Sequence, residues 1–192
     1  MIEKKSSNVK QDLRIQKTKR AIYGALEELL LEKSINKITV TELAKRAEIN
    51  KGTFYLHYKD IYDLYEDALI MYLDSVASNI PYMELFFTDI DYFAEKLVTN
   101  SLKEYIFKNN VFFSKENASF NENAMLYFCN ALSEKLLEYN QIENTNENKM
   151  KLRFIFSGIG TLLRFNSDKD ASQIINIMTT TARSLFPEIY DN

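Results

Sequence analysis

Three observations predict an all-α fold: chain breakers are scarce, apolar stripes recur at helical spacing, and no segment alternates as a strand would. Glycine occurs 4 times and proline twice in 192 residues, too seldom to supply the turns of a sheet protein. Apolar residues make up 46% of the chain and charged residues 27%, enough to bury a sizeable core and still present a wettable surface. The stripes divide the chain into about nine helices.

Residues 1–16 are polar and basic without periodicity and read as a mobile arm. A first helix is expected from about Thr18 to Leu31, with Ile22, Ala25, Leu26, Leu29 and Leu30 on one face, and "KSINK" at 33–37 breaks it. A short second helix opens on Thr39 and Glu42, whose spacing is that of a capping box, and buries Val40, Leu43, Ala44 and Ala47. Asn50 caps a third helix, with Ile49 and Phe54 at the positions of a hydrophobic staple. Asp60 caps a fourth, striped by Ile61, Leu64, Tyr65, Ala68, Leu69, Leu73 and Val76, which stops near Pro81. A fifth is expected over about 89–108, a short piece at 110–114, and a longer helix over about 121–139. After the polar loop "NQIENTNEN", helices at about 147–165 and 170–185 close the chain. The organisation is therefore read as an arm (1–16), a three-helix domain (17–60) and a helical body (61–192), joined by the fourth helix.

Charge follows the same division. Residues 1–60 hold 13 Lys/Arg against 8 Asp/Glu, a net of +5, and residues 61–192 hold 11 against 19, a net of −8. A basic head on an acidic body suits a nucleic-acid-binding head with a separate partner-facing body. The single cysteine, Cys129, excludes an intramolecular disulfide and fits a reducing compartment. It lies on an apolar helix face beside Phe128, where a packing role is the default. No apolar leader opens the sequence and no run reaches the roughly 20 apolar residues of a membrane span, so a cytoplasmic location and no membrane partner are expected.

The densest chemistry lies in "INKGTFYLHYKD", residues 49–60. Two short helices joined by a tight turn and braced by a longer one form a helix-turn-helix, whose second helix enters the DNA major groove. Gly52 permits close backbone approach, Thr53, Tyr55, His57 and Tyr58 can donate to phosphate oxygens, and Lys51 and Lys59 add charge. On a helical wheel Phe54 and Tyr58 share a core face. Lys51, Gly52, Tyr55 and Leu56 share the opposite one, where lysine can read guanine and Leu56 can touch a thymine methyl. His57, the only histidine, stands in no cluster of metal-ligand spacing.

"ITVTELAKRAEINKGTFYLHYKDIYDLYEDAL" resembles the DNA-binding domain of the TetR/AcrR family of bacterial repressors, over roughly residues 14–70. The resemblance implies an all-helical homodimer with a ligand-binding body. It implies phosphate contacts at Thr39, Thr53, Tyr55, His57 and Tyr58, and base-facing positions at Lys51, Gly52 and Tyr55. The sequence departs from the family pattern at Glu48, where the turn usually carries glycine, and at Ile61, where lysine is usual. A left-handed conformation at Glu48 costs about 1 kcal/mol more than at glycine.

The body is rich in Phe, Tyr and Met, and Tyr65, Phe86, Phe93, Met125 and Phe128 are candidates for lining a pocket for a small apolar effector, although core packing explains them equally well. The acidic surroundings favour neutral or cationic ligands. "SGIGT" at 157–161 is not a phosphate loop; its small residues let two helices approach. The family resemblance implies that the last two helices pair with their symmetry mates, through Phe154, Ile155, Gly158, Leu162, Ile174, Ile177 and Met178. No nucleophile–base pair, metal cluster or nucleotide loop is present, so neither an enzyme nor a cofactor or metal is expected. The chain is read as a sequence-specific, ligand-responsive repressor that binds a near-palindromic operator in double-stranded DNA as a dimer. A regulator without an effector, whose body binds a protein partner, is the alternative.

Overall fold

The computed structural model describes residues 2–99, 110–120, 123–165 and 168–190, the side chains of 2–13, 118 and 168 excepted. Among these residues the chain forms ten α-helices and no strand. The α-helices are α1 (Ile2–Glu32), α2 (Val40–Arg46), α3 (Lys51–Tyr55), α4 (Ile61–Ser78), α5 (Leu85–Thr88), α6 (Ile90–Thr99), α7 (Ala124–Leu137), α8 (Asn146–Phe165), α9 (Ala171–Leu185) and α10 (Pro187–Tyr190). Tighter 3-10 turns occupy Ile35–Lys37, Val111–Phe113, Lys115–Phe120 and Asp168–Asp170.

Two boundaries differ from the sequence expectation. The first helix begins at Ile2 rather than near Thr18 and takes in the segment read as an arm. The chain also divides into compact units within α4 rather than at Asp60: one of Met1–Leu69 with Val111–Asn121, the other of Ile70–Asn110 with Glu122–Asn192. The expected continuation of the fifth helix to about 108 lies outside the described residues.

The core of the first unit follows the predicted stripes. Ile22, Leu26 and Leu29 of α1, Leu43 of α2, Phe54 of α3 and Leu64 of α4 are fully buried. Ion pairs fix the register of α2 on α1: Arg46 forks onto Glu28 (3.1 Å) and Glu32 (3.0 Å) at one end, and Lys33 meets Glu42 (2.6 Å) at the other. The Arg46 pairs are exposed and the Lys33–Glu42 pair is half-exposed, so they set alignment more than they add stability. Asp60 caps α4 as expected, accepting from the backbone N–H groups of Tyr62 and Asp63 at 2.9 Å each.

The distant segment Val111–Phe120 completes this unit. Its Phe112 ring meets Tyr65 edge-on at 5.4 Å, Tyr65 donates its hydroxyl to the Phe112 carbonyl (2.9 Å), and Phe120 stacks on Tyr62. Asn117 is wholly buried: its Oδ1 accepts from the Ile35 N–H at 2.9 Å and its Nδ2 donates to the Val111 carbonyl. A buried amide needs such a partner.

In the second unit Phe86, Phe93, Phe156 and Phe186 are buried together, with Phe86 centroids 5.6 Å from Phe93, 6.2 Å from Phe156 and 6.1 Å from Phe186. Tyr190 of α10 donates to the Phe86 carbonyl. α7 packs on α8 at Gly160, where an added Cβ would come within 3.0 Å of Met125 Sδ and 3.4 Å of Cys129 Sγ. Gly160 thus carries the close approach expected of "SGIGT"; a Cβ on Gly158 would meet nothing within 4 Å. Cys129 is buried, and its burial pushes the thiol up to about 11, away from reactivity.

Asn117→Ala strands the Ile35 N–H in the interior. Unfolding in urea should show a loss of about 1–3 kcal/mol, the penalty of an unsatisfied buried donor. A loss within error of zero would mean that the amide finds another partner.

Candidate nucleic-acid interface

The turn between α2 and α3 is built by backbone geometry. Glu48 takes a left-handed φ of 55°. The Ile49 N–H reaches back to the Ala44 carbonyl at 2.9 Å and the Glu48 N–H to Lys45 at 3.3 Å. This is the Schellman ending of a helix, in which glycine is the usual left-handed residue. The strain expected at Glu48 from the sequence is therefore present.

Both helices of the pair are capped as the sequence predicts. Thr39 Oγ1 accepts from the Glu42 N–H at 3.2 Å. The Glu42 carboxyl lies below the usual carboxylate range, held there chiefly by Lys33 and also by the Thr39 backbone N–H. Asn50 Oδ1 accepts from the Thr53 N–H at 2.7 Å and from the Thr53 hydroxyl at 3.1 Å. A Cβ on Gly52 would come within 3.1 Å of that same Asn50 oxygen. The glycine therefore also makes room for the cap, a role not evident in the sequence.

The predicted division of α3 into two faces holds. Phe54 is fully buried, with Tyr58 tilted on it at 5.9 Å. Lys51 and Gly52 are exposed, Tyr55 is 58% exposed and Leu56 is 82% exposed. Thr39 and Lys59 are exposed as well, and Thr53 and His57 are half-buried. Lys59 is fixed through its backbone N–H, which donates to Asp63 Oδ2 at 2.9 Å.

Tyr58 is the exception among the expected phosphate contacts. It is buried, and its hydroxyl lies 2.9 Å from both Asp67 Oδ2 and the Tyr23 hydroxyl. Tyr23 donates to the same carboxylate oxygen at 2.6 Å, and Lys19 stands 3.7 Å from it. Tyr58 therefore belongs to the support of the interface and not to its surface. Burial pushes the Tyr58 hydroxyl far up and the Tyr23 hydroxyl up to about 12, with the bonds to Asp67 adding to both. Burial also raises the Asp67 carboxyl, but bonds from the two tyrosines and the nearby Lys19 outweigh it and leave the group low. This network was not legible in the sequence, where its members stand far apart.

Residues 22–68 match the family model described as bacterial regulatory proteins, tetR family. Over this segment the chain is similar to the TetR family. Over 52 residues it is 35% identical to the HTH-type transcriptional repressor BepR of Brucella suis biovar 1 (strain 1330), a match covering 27% of this chain and 25% of that repressor. The chain thus spans about a quarter of that relative's length. Across most of its length it is similar to a TetR transcriptional regulator from Rhodococcus sp. RHA1 (16% identity, 89% of this chain, 95% of that one, TM-score 0.52). It is likewise similar to the TetR family repressor AlkX from Dietzia sp. strain DQ12-45-1b (13% identity, 87% and 94%, TM-score 0.50). At these identities the likeness shows the all-helical fold alone.

The remaining candidate residues separate by burial. Tyr65 lies in the first unit; Phe86, Phe93, Met125 and Phe128 lie in the second. Phe86, Phe93 and Phe128 are buried, and Phe86 and Phe93 pack on other rings; Met125 is half-buried. Of the expected dimer residues, Ile155, Ile174 and Met178 are buried within the protomer. Phe154, Gly158 and Ile177 are exposed and Leu162 is half-buried. No helix among the described residues is long and apolar enough to cross a membrane.

Glu48→Gly should raise the unfolding free energy by about 1 kcal/mol, since glycine adopts the left-handed turn without the Cβ penalty. The urea midpoint measures this. A lower midpoint would mean that the turn is not strained by glutamate in solution.

Proposed function

We propose that this chain is a DNA-binding transcriptional repressor that uses the exposed face of α3 to read a near-palindromic operator as a two-fold dimer. The observation that carries this reading is the exposure of Lys51, Gly52, Tyr55 and Leu56 on one side of a capped, internally anchored helix. A solvent-facing leucine between a tyrosine and lysines suits a groove lined by methyls, acceptors and phosphates. Thr39, Thr53, His57 and Lys59 flank that face as the phosphate-binding rim. A DNA partner places the work of the protein in the cytoplasm.

The dimer reading rests on α8. Met150, Phe154, Gly158, Thr161 and Phe165 fall on one helical stripe and all face outward, with Phe154 66% and Phe165 77% exposed. Ile177 of α9 is exposed as well. Two such stripes meeting across a two-fold axis would bury one another and hold two reading helices about one DNA turn (~34 Å) apart, or a multiple of it. Response to a small apolar effector is the further element of the proposal. An effector with higher affinity for a different spacing of the reading helices would weaken DNA binding by that difference. The interior packing of Phe86 and Phe93 favours Met125 over them as a residue that touches it.

Selection from random duplexes, followed by sequencing, tests the DNA reading. A palindrome should emerge, and Tyr55→Ala or Lys51→Ala should abolish its enrichment. Binding without sequence preference, governed only by salt, would overturn sequence-specific regulation.

Sedimentation tests the dimer. Phe154→Asp should yield a folded monomer, because the side chain is exposed in the protomer and each buried phenylalanine contributes about 2–3 kcal/mol to association. A dimer that persists unchanged would place the interface elsewhere.

A further inference from the structure

Burying one ring leaves a short helix free to pivot about it. α3 has five residues, and Phe54 is its single buried side chain. Further along the same face, Tyr58 sits in the turn between α3 and α4, flanked by His57 and Lys59. Its ring packs on Phe54 at 5.9 Å and lies 6.4 Å from the Tyr23 ring, tilted by 56°. Phenylalanine would fill the same space. The hydroxyl is what adds direction: it meets Tyr23 of α1 and Asp67 of α4, both at 2.9 Å.

The three groups close a triangle, because Tyr23 itself donates to Asp67 Oδ2 at 2.6 Å. The carboxylate has no proton to give, so either both hydroxyls donate to it, or Tyr58 donates to the Tyr23 oxygen and Tyr23 to Asp67. Bonds to an ionised acceptor are the stronger kind. Lys19, 3.7 Å from Asp67 and 5.5 Å from the Tyr58 ring centroid, keeps positive charge beside the carboxylate. The triangle thus joins the end of the reading helix to both helices that brace it.

We infer that Tyr58 and Tyr23, joined through Asp67, are positioning residues that fix the orientation of α3 and so govern sequence discrimination without touching DNA. The inference rests on the DNA-binding reading above. It separates discrimination from affinity. Phosphate contacts and charge set binding to any duplex, whereas reading bases requires side chains held in a fixed orientation.

Tyr58→Phe and Tyr23→Phe test it, since both keep the ring and the net charge. For each full-length variant, affinity is measured for the selected duplex and for a random one across a salt series. Hydrogen exchange is followed at the amides of 51–59. Tyr58→Phe should lower the ratio of selected to random affinity about tenfold, the worth of one charged hydrogen bond. Tyr23→Phe should act in the same direction, and the double variant should lose no more than the worse single one. Random-duplex affinity and its salt slope should stay unchanged, and exchange should quicken at 51–59 but not at the buried core of α1. If the wild type selects a sequence and both variants keep its ratio, the network supports only the fold and the inference falls. Additive losses in the double variant would also overturn it. A wild type that selects nothing would remove the DNA-binding reading, and this inference with it.

Discussion

The burial of Phe54 is the constraint on which the exposed face of α3 depends. A helix of five residues cannot hold itself, since isolated helices shorter than about 12–15 residues are marginal in water. Its conformation has to be imposed from outside. Phe54 imposes it by inserting fully among the side chains of the first unit, a burial worth about 1.5–3 kcal/mol. Asn50 then satisfies the opening amide at Thr53, and the Tyr58 N–H closes onto the Phe54 carbonyl at 3.0 Å. With the inner face committed in this way, the outer face can carry Tyr55 and Leu56 in water.

The strained turn serves the same end. Glu48 at φ 55° ends α2 within one residue and lets the Ile49 amide fold back onto Ala44. A slower ending would move Asn50 away from its capping position. The conformation is set by the need to place two short helices at a fixed angle, and the glutamate pays its Cβ penalty because the packing of Leu43 and Phe54 on either side over-determines the turn.

What the sequence made legible was local. The stripe of α1, the caps at Thr39, Asn50 and Asp60 and the two faces of α3 all follow from spacings of four residues or fewer, which one helix turn can express; the left-handed turn at Glu48 was marked only by the family resemblance, whose pattern carries glycine there. What it concealed was non-local or aperiodic. Asn117 supports Ile35 from a distant segment, and Asp67 gathers Tyr23 and Tyr58; no periodicity encodes such meetings. The helical start of α1 at Ile2 was invisible because residues 2–16 carry no apolar stripe. The 3-10 turn at Lys115–Phe120 and the four-residue α10 are too short to show one.

The last two long helices show why an apolar residue list cannot by itself separate core from interface. α8 and α9 are apolar on more than one side, and a helical wheel ranks Ile155 and Phe154 alike although they point in different directions. Burial resolves them: Ile155, Ile174 and Met178 face inward, while Phe154 and Ile177 remain outside. The two glycines divide the same way, Gly160 under Met125 and Gly158 in open space. The two exposed apolar surfaces also differ in kind. Leu56 stands at the C-terminal end of α3 with Lys51, Tyr55 and Lys59 exposed nearby in the chain, a setting suited to a charged partner that offers an occasional methyl group. Phe154 and Phe165 stand with Met150 on one long stripe, a setting suited to a partner as apolar as itself. A second copy of the same stripe meets that requirement without any further molecule, since a two-fold axis makes a surface its own complement.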